Sequence, residues 1–187
     1  MPLALSTSWN AFRHTQASSM LFEIKNLGFK NVELSFNLTG SMLDQMPKAT
    51  EDLGFKVISL HNYCPIPEGL SRDSALPDCF SLSSIDEAER TLAVKYTKRT
   101  IDKAESLGAP VVVLHCGRVE IEDKTRQLIS LYEKGANKTE EFIDLKEAFI
   151  KERLRESLKF LEMASVSLKE LSLYAEDKGV SLGIENR

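Results

Sequence analysis

The sequence predicts an α/β fold, the first five βα units of an eight-stranded (β/α)8 barrel, on three observations. Five short apolar runs rich in β-branched residues alternate with longer amphipathic stretches. The first three runs start at Leu3, Val32 and Val57, 29 and 25 residues apart, the spacing of compact βα units with right-handed crossovers. The turn after the first run, STSWNA at residues 6–11, contains no glycine, so the phosphate-cradling turn of an open dinucleotide-binding sheet is missing and the closed barrel is preferred.

The strands are placed at residues 3–8 (LALSTS), 32–36 (VELSF), 57–61 (VISLH), 111–115 (VVVLH) and 180–185 (VSLGIE). The third and fourth are almost wholly apolar until their closing histidine, as expected of parallel strands covered on both faces. Helices between them end at Gly28, Gly54, Gly108 and Gly179, where a left-handed cap is wanted. Ser84 and Glu87 fit an S-x-x-E capping box, after which Ala93, Thr97, Ile101, Ala104 and Leu107 recur at helical spacing.

Residues 118–178 form an extended helical segment between strands four and five. Within it, residues 120–133 read as a short helix and residues 140–177 carry a long apolar stripe. One helix over that stripe would be about 55 Å long, too long to back one strand, so a break is expected near residues 165–167. Residues 64–84, with Pro65, Pro67, Gly69 and Pro77, form a long irregular loop directly after His61, a length usually reserved for function.

Each further βα unit needs about 27 residues, so three more would bring the total to roughly 270, the ordinary size of a complete barrel. The 187 residues are therefore read as the N-terminal five strands of a single barrel domain. Composition is that of a soluble globular chain, with 42% hydrophobic and 28% charged residues. A formal net charge of −4 leaves no general basic field to hold a nucleic-acid backbone, so nucleic acid is not an expected partner. No apolar run reaches a membrane span, and the start lacks the pattern of a signal peptide. Three cysteines without a CxxC spacing argue for reduced thiols, and the expected compartment is the cytoplasm.

Active sites of parallel α/β folds lie at the C-terminal strand ends. There the third strand closes on His61, the fourth on His115 and the fifth on Glu185. A single strand-end histidine reads as a hydrogen-bonded structural residue, but two histidines and a glutamate in one layer offer the nitrogen and oxygen ligands that a divalent ion needs. Glu33, inside an otherwise apolar strand, reads either as a polar group that orients substrate or as one half of a structural ion pair. Trp9 offers an apolar face to a sugar ring or caps the core. Asn62, Tyr63, Asn186 and Arg187 read as partners for a polyol or as solvated groups, and His14 as a surface residue. Cys116 adjoins His115, but neighbours on a strand point to opposite faces, so an inert thiol is expected rather than a Cys/His nucleophile.

STSWNA, NVELSF, SLHNYCPIP, AESLGA, VVVLHCG and the closing GIENR together resemble the xylose-isomerase-like TIM barrels, the group of sugar phosphate isomerases and epimerases that also contains the apurinic-site endonucleases. The resemblance implies that Glu185 binds a divalent metal and moves a proton. His61 and His115 match histidines that bind metal in the nuclease branch and more often line the substrate pocket in the sugar branch. The expectation is a metal-dependent sugar or sugar phosphate isomerase or epimerase working through an enediolate. Glu185 is its catalytic residue; Glu185 and His115 are its metal ligands; His61, His115, Glu33 and Trp9 bind substrate. Manganese, magnesium, cobalt and zinc all remain open as the metal. The family's further aspartate, histidine and glutamate ligands come from strands six to eight, which this chain lacks. The alternatives are a metal-dependent endonuclease on damaged DNA and a fragment without catalytic function. Open strand edges lead to an expectation of self-association.

Overall fold

The structure, a computed structural model, describes residues 3–186. Its centre is a five-stranded sheet built from β1 (Leu5–Ser6), β2 (Asn31–Leu34), β3 (Lys56–His61), β4 (Val111–Leu114) and β5 (Ser181–Ile184). All neighbours are parallel and their order in space is their order in the chain. A doubly wound sheet reverses direction partway, whereas sequential order is what five consecutive staves of a (β/α)8 barrel produce. The helices that return the chain are α1 (Ala17–Asn26), α2 (Gly40–Asp44), α3 (Met46–Leu53), α4 (Glu87–Ser106), α5 (Thr125–Glu133) and α6 (Glu140–Asp177).

Alternation along the strands separates two faces. Val32, Leu34, Leu60, Val112 and Leu114 are fully buried against the helices, where Met20, Leu21, Ile24, Ile101, Ala104 and Leu171 meet them. Burying one such side chain contributes about 1.5–3 kcal/mol. On β4, Val111 and Val113 turn to the other face and are only half-buried, as is His115 just beyond them. The expectation that both strand faces are covered thus holds for the helix side alone.

Three details depart from the sequence reading. The first strand is two residues long, because Thr7–Trp9 tightens at once into a 3₁₀ turn whose cap is Ser6. The cap of α4 is Asp86, whose carboxylate accepts from the Ala88 N–H at 2.9 Å. The Ser84 hydroxyl is engaged ahead of the helix, donating to Glu89 at 2.8 Å and accepting from the Asp86 N–H at 3.2 Å.

The third concerns α6, which runs unbroken for 38 residues through residues 165–167. It contains no Gly or Pro to interrupt it, and its serines leave the backbone ladder intact. Ser165 donates to the Leu161 carbonyl at 2.7 Å and Ser167 to the Leu82 carbonyl at 2.8 Å. Only the second half backs the sheet, through Phe160, Ala164, Ser167, Leu171 and Ala175; no residue of the first half is fully buried, and it packs against α5 instead. One strand needs only part of so long a helix, and the surplus turns continue unbroken and pack on α5.

Candidate metal centre

β3, β4 and β5 bring His61, His115 and Glu185 together at their C-terminal ends. Pairing of Leu60 with Val112 and of Leu114 with Ile184 sets the level of the three strands, so their next residues share a layer. The Glu185 N–H donates to the Leu114 carbonyl at 3.0 Å and carries that register one residue past β5. Gly183, two residues before Glu185 and on the same face, packs on the Val111 and Val113 side chains.

The carboxylate oxygen Oε2 of Glu185 lies 3.3 Å from His61 Nε2 and 3.6 Å from His115 Nε2. One ligand atom from each of the three falls within 4.8 Å of the others. Two ligands held tetrahedrally at about 2.1 Å from one ion stand about 3.4 Å apart, close to the two distances from Glu185 to the histidines. The two imidazoles meet edge to face at a centroid distance of 5.2 Å, and Phe36 packs edge-on to His61 at 5.7 Å.

Protonation geometry points the same way. His61 Nδ1 lies 3.0 Å from the Asn62 carbonyl, which only accepts, so Nδ1 carries the proton. Nε2 then faces a carboxylate with either an imidazolium proton or a lone pair, and a cation between them turns the second arrangement into ligation. A backbone carbonyl behind the imidazole is also the usual anchor of a metal-binding histidine. His115 lacks such an anchor: its Nδ1 is buried with no hydrogen-bond partner among the described residues. The histidine side chains are 12% and 11% exposed, against 56% for Glu185.

Glu33 pairs in register with Ser59 and accepts its hydroxyl at 2.8 Å. Ser59 shares a strand face with His61, which puts Glu33 one layer beneath the histidines. Among the described residues Glu33 has no cationic partner, and Ser59 is the group it binds. Trp9 is 41% exposed at the end of β1, and the Arg13 guanidinium covers one ring face at 4.7 Å from the centroid.

Several other sequence readings need correction. Asn62 and Tyr63 are buried rather than offered to a ligand. Asn62 donates to Thr97 at 2.8 Å and accepts from Thr100 at 3.0 Å, and Tyr63 donates to the Phe80 carbonyl at 2.7 Å. His14 is no free surface residue, since its Nε2 lies 2.7 Å from Glu23, which also binds Arg13 and Asn10. Arg187 lies outside the described residues. Cys116 turns away from His115 toward α6, and partial burial pushes its thiol up from the ordinary range. Sequence reasoning passed over Ser59, whose signal was present: it is the lone hydroxyl in VISLH, two residues before the histidine.

A sequential parallel sheet with a polar layer at its C-terminal ends defines a partial (β/α)8 barrel of the kind that carries enzyme sites. The chain belongs to the xylose isomerase-like TIM barrel family, whose sequence description matches residues 21–187. Among solved structures it is similar to a D-tagatose 3-epimerase-like protein at 18% identity and a TM-score of 0.62, covering 100% of this chain and 53% of that one. Similar too is an L-ribulose 3-epimerase, at 19% identity and a TM-score of 0.60, covering 98% and 49%. The 3-keto-D-glucoside 4-epimerase from E. coli follows at 14% identity and a TM-score of 0.58, covering 91% and 51%. No curated protein matches the sequence. The chain spans about half the length of the solved structures it resembles.

Proposed function

We propose that this chain forms the N-terminal five strands of a sugar isomerase or epimerase barrel, acting in the cytoplasm on a small sugar or sugar phosphate. The observation that carries the reading is the convergence of two imidazole nitrogens on one carboxylate oxygen, at 3.3 and 3.6 Å, at the ends of three adjacent strands. Glu185 and His115 are the proposed metal ligands, with His61 close enough to join them. When bound, a divalent cation supplies Lewis acidity toward neighbouring oxygens of a hydroxy ketone.

The chain's own residues supply the rest. Glu185 removes the proton from the carbon beside the carbonyl, becoming a neutral acid, and in an isomerisation returns it to the neighbouring carbon of the enediolate, whereas an epimerisation needs a second acid, not among the described residues, to deliver a proton to the opposite face. His61, fixed by the Asn62 carbonyl, lines the mouth, and Glu33, held by Ser59, directs an acceptor toward a substrate hydroxyl. Trp9 offers its uncovered ring face to the sugar. The epimerase names of the similar structures support this choice of chemistry. Free thiols at Cys64, Cys79 and Cys116 support a reducing compartment. Apolar side chains exposed along α6, among them Leu154, Leu158 and Leu161, support self-association.

Calorimetric titration with Mn²⁺ and Zn²⁺ tests the site. Glu185→Gln is expected to weaken binding by at least about 100-fold, more than loss of an outer-sphere partner costs, and binding at wild-type strength would overturn the reading. A second reading, an endonuclease on abasic DNA, draws on the same convergence, since both histidines bind metal in that branch. The net charge of −4 disfavours it. Metal-dependent nicking of an abasic duplex, with no turnover of ketoses, would favour the nuclease.

A further inference from the structure

Most arginines of the described chain are spent on acceptors: Arg13 on Glu23, Arg99 on Glu68, Arg155 on Glu156, and Arg72 and Arg90 on backbone carbonyls. Arg118, Arg126 and Arg153 have no side-chain hydrogen bond or ion pair among the described residues, and of these Arg118 and Arg153 together line one groove of about 250 Å³ between the loop after β4 and α6. Ser83, Gly117, Ser157 and Phe160 complete the walls on which the argument rests.

The loop that carries Arg118 is pinned. Ser83 Oγ donates to the Arg118 carbonyl at 3.1 Å, and Ser81 and Ser83 are hydrogen-bonded to one another at 3.0 Å. The N–H groups of Gly117, Arg118 and Val119 donate to nothing among the described residues. The Ser83 and Ser157 hydroxyls spend their protons on the Arg118 and Leu154 carbonyls, so the donors left for a tetrahedral dianion are the two guanidinium forks and the unspent backbone N–H groups. Arg118 and Arg153 also line the adjoining cleft, together with Glu120 and Asp123, and Asp123 is occupied by the Thr125 N–H.

We propose that this groove is an anion subsite that takes the phosphoryl group of a sugar phosphate whose carbon chain lies over the His61, His115 and Glu185 cluster. The assignment rests on the sugar reading of that cluster and selects the phosphorylated substrate class. Arg118 follows His115 by three residues, so their Cα atoms are at most about 11 Å apart, within the span of a five- or six-carbon chain and its phosphate. The groove and the cluster flank β4: His115 turns to the inner face, Cys116 to the groove.

The test uses calorimetric titration of the full chain with inorganic phosphate, with ketose phosphates and with the matching free ketoses. Phosphate is expected to bind the wild type, to bind at least about tenfold more weakly to the Arg118→Gln/Arg153→Gln double variant, and to bind Glu185→Gln unchanged. The lysine double variant Arg118→Lys/Arg153→Lys retains charge but not the fork and should fall between them, which separates lost recognition from lost folding. A ketose phosphate should bind at least about tenfold tighter than its free ketose, and the glutamine double variant should erase that advantage. Equal phosphate binding by wild type and double variant would overturn the subsite while leaving metal binding at Glu185 untouched. Phosphate binding in the groove without any advantage for the ketose phosphate would overturn its link to the sugar site and leave a site for free phosphate only.

Discussion

Gly117→Ala is the sharpest single probe of how the site is framed. The glycine has a φ of +107°, which an L side chain enters only at a cost of about 1–2 kcal/mol. A Cβ placed there would stand 2.2 Å from Ser83 Oγ, 2.3 Å from Ser81 Oγ and 3.0 Å from Ser83 Cβ. The two hydroxyls are buried and bonded to each other, so they move aside only by giving up hydrogen bonds, and overpacking of this kind costs a further 1–3 kcal/mol or about that. The expected loss is about 2–5 kcal/mol, or roughly 10 °C in melting midpoint for a chain of this size, read by circular dichroism. Adding Ser81→Ala and Ser83→Ala should recover part of the steric share and none of the backbone share. A Gly117→Ala midpoint within about 2 °C of wild type would refute the claim that the loop is pressed onto the serine pair.

Two further outcomes are expected. Asn62→Ala strips partners from Thr97 and Thr100, both buried, and should cost about 2–3 kcal/mol in chemical denaturation while leaving the backbone carbonyl that holds His61; a cost below about 0.5 kcal/mol would show that the network is idle. Glu23 is held down at about 2, against 4.5 for a free carboxyl, first by its bond to His14, then by Asn10 and Arg13. Its folded value is the lower one, so its stabilising effect is present above 4.5 and is lost as pH falls toward 2. The midpoint difference between wild type and Glu23→Gln should therefore be full near neutrality and shrink across that acid window, and a difference independent of pH would contradict the pairing.

The fold was legible because the two periods that define it are written in the sequence at full strength. VVVLH carries an uninterrupted apolar run and VISLH one broken only by Ser59, and Gly54 and Gly108 stand where helices stop. What escaped was decided by competition among partners. Ser84 has the right spacing for a cap, but the Glu89 carboxylate and the Asp86 N–H engage its hydroxyl and Asp86 does the capping. Asn62 has the look of a sugar ligand, yet two threonines one turn apart on α4 draw it inward. Spacing along the chain says which groups are available; it does not say which acceptor wins.

The site shows the same division in a more useful form. Strand ends alone placed His61, His115 and Glu185 in one layer, because parallel register converts position in sequence into height in the barrel. Direction was not readable: the Asn62 carbonyl behind its ring and Phe36 against its edge aim His61 Nε2, and His115 meets that ring edge to face. The two histidines are nearly enclosed, while the glutamate stands 56% exposed at the end of the last strand. Fixing an exposed carboxylate costs side-chain entropy that a ligand already held by its neighbours does not pay. Metal affinity should therefore depend on how firmly Glu185 is held as well as on its charge, and any contact that shields the open edge of β5 should strengthen binding without adding a ligand.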